Sequence, residues 1–174
     1  MMSLQERAAR VKLMIFDVDG VLTDGSLHYG AEGEALKTFN VQDGLGIKLI
    51  QEAGIQTAII SARTSPQVIK RAADLGISHL HQGGHDKLTP FHALLDKTGL
   101  TAEQVGFIGD DVVDLPILSR VGLAVAVPNG RAEVLERAHH VTTAFGGRGA
   151  VREVCELLLR AQGSYARVMA QFLV

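Results

Sequence analysis

Short apolar runs alternate with amphipathic stretches along most of the chain. The runs are rich in Val and Ile and are apolar at successive positions, which is typical of parallel strands buried on both faces. They lie at 11–16, 56–60, 105–108 and 123–127, with a weaker one near 77–80. Helical patterns lie near 44–53, 66–75, 87–97, 115–120, 132–137 and 150–162. This alternation predicts a three-layer α/β/α, Rossmann-like domain with a mostly parallel central sheet.

Local signals support two of the helix starts. Ser65 stands directly before Pro66, an arrangement typical of an N-cap followed by proline at the first helical position. Asp86 stands at the start of the next helical pattern, where its carboxylate would accept hydrogen bonds from the first backbone N–H groups. We therefore expect side-chain caps at both positions.

One segment interrupts the alternation, between the first predicted strand and its helix. Two short strand-like pieces, 27–29 and 36–39, flank a glycine-containing turn at 30–34. This pattern predicts a β-hairpin insertion at about 26–40, which is too short to be a cap domain. We expect one domain over residues 1–174, with a C-terminal tail at about 162–174.

Composition and charge exclude several functional classes. The chain is 47% hydrophobic and 21% charged with a net charge of −2, so nothing favours nucleic acid or an anionic membrane surface as a partner. It has one cysteine, Cys155, so no intramolecular disulfide can form. No apolar stretch reaches the ~18 residues of a membrane span, and the N-terminal segment lacks the apolar core of a signal peptide. We expect a cytoplasmic protein.

Two acidic clusters follow predicted strands and are the strongest sign of chemistry. Asp17 and Asp19 come directly after the first apolar run, and Asp110, Asp111 and Asp114 come after the third. Carboxylates gathered in this way repel one another unless a cation or a proton balances them. If the two strands are parallel neighbours, both clusters meet at the carboxyl edge of the sheet, where open α/β folds keep their active sites.

The residues that follow the other strands complete a set suited to phosphoryl transfer. Asp17 is a candidate nucleophile, and Asp19 is a candidate acid for the leaving alcohol and base for the attacking water. Ser61 would hydrogen-bond a phosphoryl oxygen, while Lys87 would supply positive charge to the phosphate and the nucleophile. Asp110 together with Asp17 would hold Mg²⁺, a hard cation that takes one or two carboxylates plus phosphate.

Two acids of the second cluster have roles that the sequence leaves open. Asp111 would reach a metal ion only through a water. Asp114 would cap a helix, orient Lys87 or ligate the metal directly.

These elements, in this order, resemble the motifs of the haloacid dehalogenase superfamily of phosphatases. Asp-Val-Asp-Gly at 17–20 is similar to its first motif, Ser61 to its second, Lys87 to its third, and Gly-Asp-Asp-Val-Val-Asp at 109–114 to its fourth. The resemblance covers about 11–159. The pairing of Asp17 with Asp19 favours a phosphatase over the dehalogenase and phosphonatase branches.

Further strings resemble a capless, tetrameric branch of the superfamily that acts on phosphorylated 3-deoxy-ulosonate sugars. They lie at 17–25, 39–44, 60–63, 109–111 and 146–153. The resemblance implies Mg²⁺ bound by Asp17, Asp110 and the backbone carbonyl of Asp19. It also implies a set of substrate contacts that comprises Asp19, Asn40, Val41, Gln42, Asp43, Gly44, Lys48, Arg63, Arg71 and Lys87.

The same resemblance implies a substrate and an assembly. The expected substrate is 3-deoxy-D-manno-octulosonate 8-phosphate, on the route to the inner-core sugar of lipopolysaccharide in a Gram-negative source. Lys48 replaces the arginine usual in the family, which keeps a nine-carbon ulosonate 9-phosphate open as an alternative. A non-catalytic oligomerisation domain is a second alternative. In the implied homotetramer, the hairpin and the C-terminal segment, with Arg148, would complete a neighbour's site.

Overall fold

A computed structural model describes residues 2–173; Met1 and Val174, at the ends of the predicted domain and tail, lie outside the described residues. Its main sheet has six parallel strands in the order β5-β4-β1-β6-β7-β8. The strands are β1 (Leu13–Phe16), β4 (Gln56–Ser61), β5 (His79–Gln82), β6 (Val105–Gly109), β7 (Leu123–Ala126) and β8 (His140–Val141). Because β1 lies between β4 and β6, the segments that follow these three strands meet at one edge.

Helices cover both faces of this sheet and confirm the predicted three-layer fold. They are α1 (Leu4–Ala9), α2 (Val41–Glu52), α3 (Pro66–Leu75), α4 (Leu88–Thr98), α5 (Leu115–Leu118), α6 (Ala132–Arg137), α7 (Ala150–Ala161) and α8 (Tyr165–Met169). The buried side chains of α1, α2, α3, α7 and α8 share one core, and those of α4, α5 and α6 share the other. Within residues 2–173, no helix combines the length and apolar character needed to cross a membrane.

The strand β1 shows why its sequence is apolar throughout. Met14 and Phe16 belong to one core, whereas Leu13 and Ile15 belong to the other, and all four are fully buried. Successive side chains of a strand point to opposite faces, so a strand covered by helices on both sides needs apolar residues at every position.

The predicted hairpin is present, but its second strand begins earlier than predicted. The hairpin pairs β2 (His28–Gly30) with β3 (Gly33–Leu36), whereas the sequence suggested 36–39 for the second strand. The reason is a tight turn: Gly30 pairs with Gly33, whose φ of +113° suits glycine and starts the return strand at once. Between β1 and α2, the described chain holds this hairpin and no other strand or helix.

Two other local predictions need correction. Ser65 occupies the N-cap of α3, but its side chain makes no capping bond; its hydroxyl pairs with Oε1 of Gln67 at 2.7 Å. The weak strand predicted near 77–80 lies at 79–82. Asp86 does act as predicted, since its Oδ1 accepts hydrogen bonds from the backbone N–H groups of Leu88 and Thr89 at 2.9 and 3.2 Å.

Candidate active site

The carboxyl edge of the sheet opens into a cleft of about 390 Å³ that contains most of the predicted catalytic and metal-binding residues. Backbone pairing continues past β1, where the N–H of Asp17 donates to the carbonyl of Ile108 at 3.1 Å and so brings the two acidic clusters together. The predicted site residues that line this cleft are Asp17, Asp19, Ser61, Arg63, Lys87, Asp110 and Asp111.

Asp17 and Lys87 form a buried ion pair at the floor of the cleft. The Lys87 Nζ lies 2.9 Å from Oδ1 of Asp17 and 2.6 Å from Oδ1 of Asp114. Burial lowers the pKa of Lys87, but the two carboxylates outweigh it and leave that pKa above the ordinary value. Burial and the charge of Asp114 raise the pKa of Asp17 well above its usual range, against the opposing effect of Lys87. A buried lysine needs such partners, because an unpaired buried charge is strongly destabilising.

Asp114 orients the other residues of the site. Its Oδ1 holds Lys87, while its Oδ2 accepts the backbone N–H groups of Asp110 and Asp111 at 2.9 and 3.2 Å. Asp114 is completely buried. Of the three roles that the sequence left open, the geometry favours positioning of Lys87 and capping of the short 3₁₀ turn at 112–114, because both carboxylate oxygens are engaged.

Asp110 has the properties of a cation ligand. Carboxylate oxygens of Asp17, Asp110 and Asp114 lie within 4.8 Å of one another. Oδ1 of Asp110 is buried and has no hydrogen-bond partner among residues 2–173. Burial, with the charges of Asp114 and Asp111, raises the pKa of Asp110 to about 7. A hard divalent cation such as Mg²⁺ fits this set of oxygen donors, with Asp17 and Asp110 as the carboxylates that remain available.

The loop after β1 approaches Asp110 closely, which explains the glycine at position 20. A Cβ atom on Gly20 would lie 2.0 Å from Oδ2 of Asp110, and the φ of Gly20 is +85°. Both observations favour glycine there.

Asp19 is held by Lys37 of the hairpin, which in turn pairs with Glu34; neither of these two hairpin residues was predicted from the sequence. Its Oδ1 forms an ion pair with Nζ of Lys37, and its Oδ2 lies 3.7 Å from Nε of Arg63. Glu34 contacts both cations, at 2.7 Å from Lys37 and 3.0 Å from Arg63. One feature of the sequence could have pointed to Glu34 and Lys37: they are opposite charges on a hairpin that was predicted to lie at the catalytic edge.

The predicted substrate contacts near the start of α2 lie outside the lining of the cleft. Asn40 caps this helix by accepting from the N–H groups of Gln42 and Asp43 at 2.7 and 3.3 Å. The buried Asp43 carboxylate accepts from the N–H of Arg152 at 2.8 Å, at the start of α7. Val41 and Gln42 are exposed.

The other predicted contacts of this group are equally separate from the cleft lining. Arg71 donates to the carbonyl of Asn40 at 3.4 Å and lies over the ring of Phe39. Gly44 is buried where a Cβ would meet Arg71, and Lys48 is exposed. The substrate roles of all these residues remain predictions.

Asn129 is a further residue that the sequence analysis missed. Its Nδ2 donates to the carbonyl of Gly20 at 2.9 Å, and its Oδ1 accepts from the N–H of Gly146 at 2.9 Å. It thus joins the loop after β1 to the glycine-rich loop at 146–149. The available signal was its position just past the carboxyl end of β7. Arg148, in that loop, is exposed and lies 3.7 Å from the carboxylate of Asp24.

The parallel sheet, the acid pair after its central strand and the buried lysine define a haloacid dehalogenase-like hydrolase. The family model with that description matches residues 76–151. The chain is 50% identical over 157 residues to 3-deoxy-D-manno-octulosonate 8-phosphate phosphatase KdsC of Yersinia pestis, covering 90% of this chain and 84% of that protein. The corresponding protein of Escherichia coli K12 is 47% identical over 165 residues, which are 95% of this chain and 88% of that one.

A solved structure agrees with these relatives. The 3-deoxy-D-manno-octulosonate 8-phosphate phosphatase of Moraxella catarrhalis, in complex with magnesium ion, phosphate ion and KDO, superposes with a TM-score of 0.95 at 44% identity, and the match covers 97% of each chain. The chain therefore belongs to the family of 3-deoxy-D-manno-octulosonate 8-phosphate phosphatases, and the superfamily expected from its motifs is confirmed.

Proposed function

We propose that this protein is a Mg²⁺-dependent phosphatase that hydrolyses 3-deoxy-D-manno-octulosonate 8-phosphate to 3-deoxy-D-manno-octulosonate and phosphate. The observation that carries the proposal is the buried group of Asp17, Lys87 and Asp110 in the cleft of a chain from this family. We place the reaction in the cytoplasm, in the synthesis of the lipopolysaccharide inner-core sugar. A multiply charged sugar phosphate crosses a lipid bilayer poorly, which supports that location.

Two residues carry the chemistry: Asp17 is the nucleophile, and Asp19 donates and then accepts a proton. A carboxylate oxygen of Asp17 attacks phosphorus as the bond from phosphorus to the sugar oxygen breaks, and Asp19 gives its proton to that oxygen. The aspartyl-phosphate then reacts with water, whose proton passes to Asp19 while phosphate leaves. Lys87 holds Oδ1 of Asp17 and carries the positive charge that the transferring group requires. Ser61, buried in the lining of the cleft, would donate to a phosphoryl oxygen.

Asp17, Asp110 and the backbone carbonyl of Asp19 would hold Mg²⁺, with Asp111 reaching it through a water. The bound cation would neutralise negative charge on the phosphoryl oxygens. The unpartnered, buried Oδ1 of Asp110 supports this assignment.

Recognition of the sugar acid would involve Arg63 in the cleft and the group at the start of α2. Asn40 to Gly44, Lys48 and Arg71 make up that group. The position of Arg71 beside Asn40 supports a common role for the two residues.

The deciding experiment is steady-state phosphate release with Mg²⁺ from 3-deoxy-D-manno-octulosonate 8-phosphate, beside a nine-carbon ulosonate 9-phosphate and common sugar phosphates. We expect kcat/KM for the octulosonate to exceed the others, and chelation of the metal or Asp17→Asn to abolish release. Equal rates on the nine-carbon compound would favour that compound as the substrate in place of the octulosonate. No release from any compound would favour an oligomerisation domain without catalysis.

We also propose that the protein works as a homotetramer in which the hairpin and the C-terminal segment complete a neighbour's site. Support comes from the hairpin itself, where Leu27, Tyr29 and Leu36 expose 45%, 66% and 48% of their surface. Several exposed apolar side chains on one small projecting element are typical of a protein–protein contact.

A further inference from the structure

The hairpin brings two charged side chains, Glu34 and Lys37, into contact with residues of the cleft. Both lie on or directly after β3, three residues apart, and form an ion pair with each other at 2.7 Å. They also reach across to Asp19 and Arg63, which follow the strands β1 and β4. Four charges from three separate parts of the chain thus meet at one place.

These charges alternate in sign around a closed ring. Asp19 faces Lys37 through Oδ1 and Arg63 through Oδ2. Glu34 faces the same two cations, Lys37 through Oε1 and Arg63 through Oε2. The ring is therefore neutral, with two carboxylates and two cations. Lys37 holds the carboxylate of Asp19 by a hydrogen bond, and Arg63 places a second positive charge 3.7 Å from its other oxygen.

Burial indicates that this ring serves more than the stability of the hairpin. The side chain of Lys37 is 1% exposed and that of Glu34 is 11% exposed, although both residues belong to a small insertion whose apolar side chains are largely exposed. Burying a lysine is costly, and a surface ion pair would secure a hairpin without that cost. The favourable contacts of the ring lower the pKa of Glu34 in spite of its burial, which means that its charged form is retained.

We propose that Glu34 and Lys37 are positioning residues that hold the carboxylate of Asp19 in line with the sugar oxygen of the substrate. The proposal rests on the proposed function, in which Asp19 exchanges a proton with that oxygen and then with water. Lys37 contacts Asp19 directly, and Glu34 forms ion pairs with both Lys37 and Arg63. Neither hairpin residue needs to touch the substrate.

A positioning role predicts a defect that depends on the leaving group. A sugar alkoxide departs slowly unless it is protonated as the bond breaks, whereas nitrophenolate departs without a proton. Misplacing a proton-transfer group by about 1 Å can cost ~10²-fold in rate. Loss of Lys37 should therefore slow the sugar phosphate far more than the first turnover of p-nitrophenyl phosphate.

The experiment compares Lys37→Met, Lys37→Arg and Glu34→Gln with the unaltered enzyme. It measures kcat and KM on 3-deoxy-D-manno-octulosonate 8-phosphate, and nitrophenolate release in the first turnover of p-nitrophenyl phosphate by rapid mixing. Glu34→Gln keeps the shape of the side chain and tests the idea even if Lys37→Met folds poorly. Matched controls are Glu32→Gln at the exposed hairpin turn and Lys70→Met on the exposed face of α3.

We expect Lys37→Met to lower kcat on the sugar phosphate by about 10- to 100-fold with KM within about threefold, and nitrophenolate release to fall by less than about threefold. Glu34→Gln should show the same pattern at about 3- to 10-fold, Lys37→Arg should recover part of the loss, and both controls should match the unaltered enzyme.

Three results would overturn the positioning role while leaving the proposed function intact: a raised KM with unchanged kcat, equal losses on both substrates, or no change. If the unaltered enzyme hydrolysed neither substrate, the proposed function would fail and this inference with it.

Discussion

Asp114 is the residue on which two other members of the site depend. It is completely buried, it binds Lys87 at 2.6 Å, and it accepts two backbone N–H groups from the loop that carries Asp110. In Asp114→Asn, the new amide would place a donor against either the ammonium group or the backbone N–H groups. We expect a loss of about 3–5 kcal/mol in the free energy of unfolding, because a buried charge pair loses one partner. Equilibrium urea unfolding measures this.

The control for that substitution is Asp74→Asn on the exposed side of α3, which should stay within about 0.5 kcal/mol of the parent. If the two variants unfolded at the same urea concentration, Asp114 would not carry the stabilising role described here.

Asp110 should make stability depend on both pH and Mg²⁺. Without a bound cation its pKa is raised from 3.8 to about 7, so folding favours its neutral form. Its contribution to stability is therefore present below about pH 4 and is lost as the pH rises through about 7. The pKa of Asp17 is raised in the same direction. We expect Tm of the metal-free protein to fall between about pH 5 and about pH 8, and Mg²⁺ to raise Tm more at the higher pH, where no proton competes.

Thermal unfolding with and without MgCl₂ at both pH values tests this expectation. Asp110→Asn, which carries no titrating carboxyl group at that position, should lose most of the pH-dependent gain from Mg²⁺. An equal Mg²⁺ effect at the two pH values in the parent protein would contradict the assignment of Asp110.

Residues directly after parallel strands were predictable, whereas the residues that support them were not. Asp17, Ser61 and Asp110 stand at strand ends, where topology alone brings them to one edge. The same rule points to Asn129, which follows β7. Lys37, by contrast, reaches Asp19 only because the hairpin folds back over the cleft, and no local pattern encodes that tertiary contact.

The strands and helices likewise include some that could be predicted from the sequence and some that could not. Runs such as 105–108 gave correct strands because burial on both faces leaves little choice but apolar residues. The hairpin has one exposed strand and no such pattern, so its register followed the turn at Gly33 and was misplaced from sequence. Helix ends were predicted well at Pro66 and less well at the start of α2, where Asn40 provides the cap.

The contact between α2 and α7 offers a test of Asp43, a predicted substrate contact. Its buried carboxylate accepts backbone N–H groups of Gly149 and Arg152 at 3.4 and 2.8 Å, at the start of α7. Burial raises the pKa of Asp43, although these hydrogen bonds oppose the shift. For Asp43→Ala we expect a loss of about 1–2 kcal/mol in unfolding free energy, the usual cost of removing a helix cap, together with a rise in KM, because Asp43 belongs to the group proposed to recognise the sugar acid.

Ser3→Ala is a matched control, because Ser3 caps α1 through its contacts with Glu6. It should lose about 1 kcal/mol and leave both kcat and KM unchanged. A loss of stability with an unchanged KM would limit Asp43 to capping α7 and would remove it from the proposed recognition group.

For the molecule as a whole, the hairpin would connect the proposed assembly to catalysis. It exposes the apolar side chains of Leu27, Tyr29 and Leu36, while Glu34 and Lys37 lie buried against the cleft. A neighbouring subunit that covers these exposed side chains would hold the buried pair in place. Assembly and the orientation of Asp19 would then depend on the same small element.

Tyr29→Ser tests this connection, because its ring is 66% exposed. Tyr29 also pairs with Glu34 across the hairpin, and Arg63 hydrogen-bonds to its hydroxyl, so Tyr29→Phe, which keeps the ring and loses that bond, separates this contact from assembly. Phe39, which lies in the same insertion, is half-buried, packs against the core and lies under Arg71, so its loss would also affect folding. We expect Tyr29→Ser to shift the protein towards smaller species in light scattering after size exclusion and to lower kcat by about 10-fold. Val141→Ser, at an exposed apolar position on the edge strand β8, is the control and should change neither. A monomeric Tyr29→Ser protein with full activity would separate assembly from catalysis and show that the hairpin holds Asp19 without help from a neighbour.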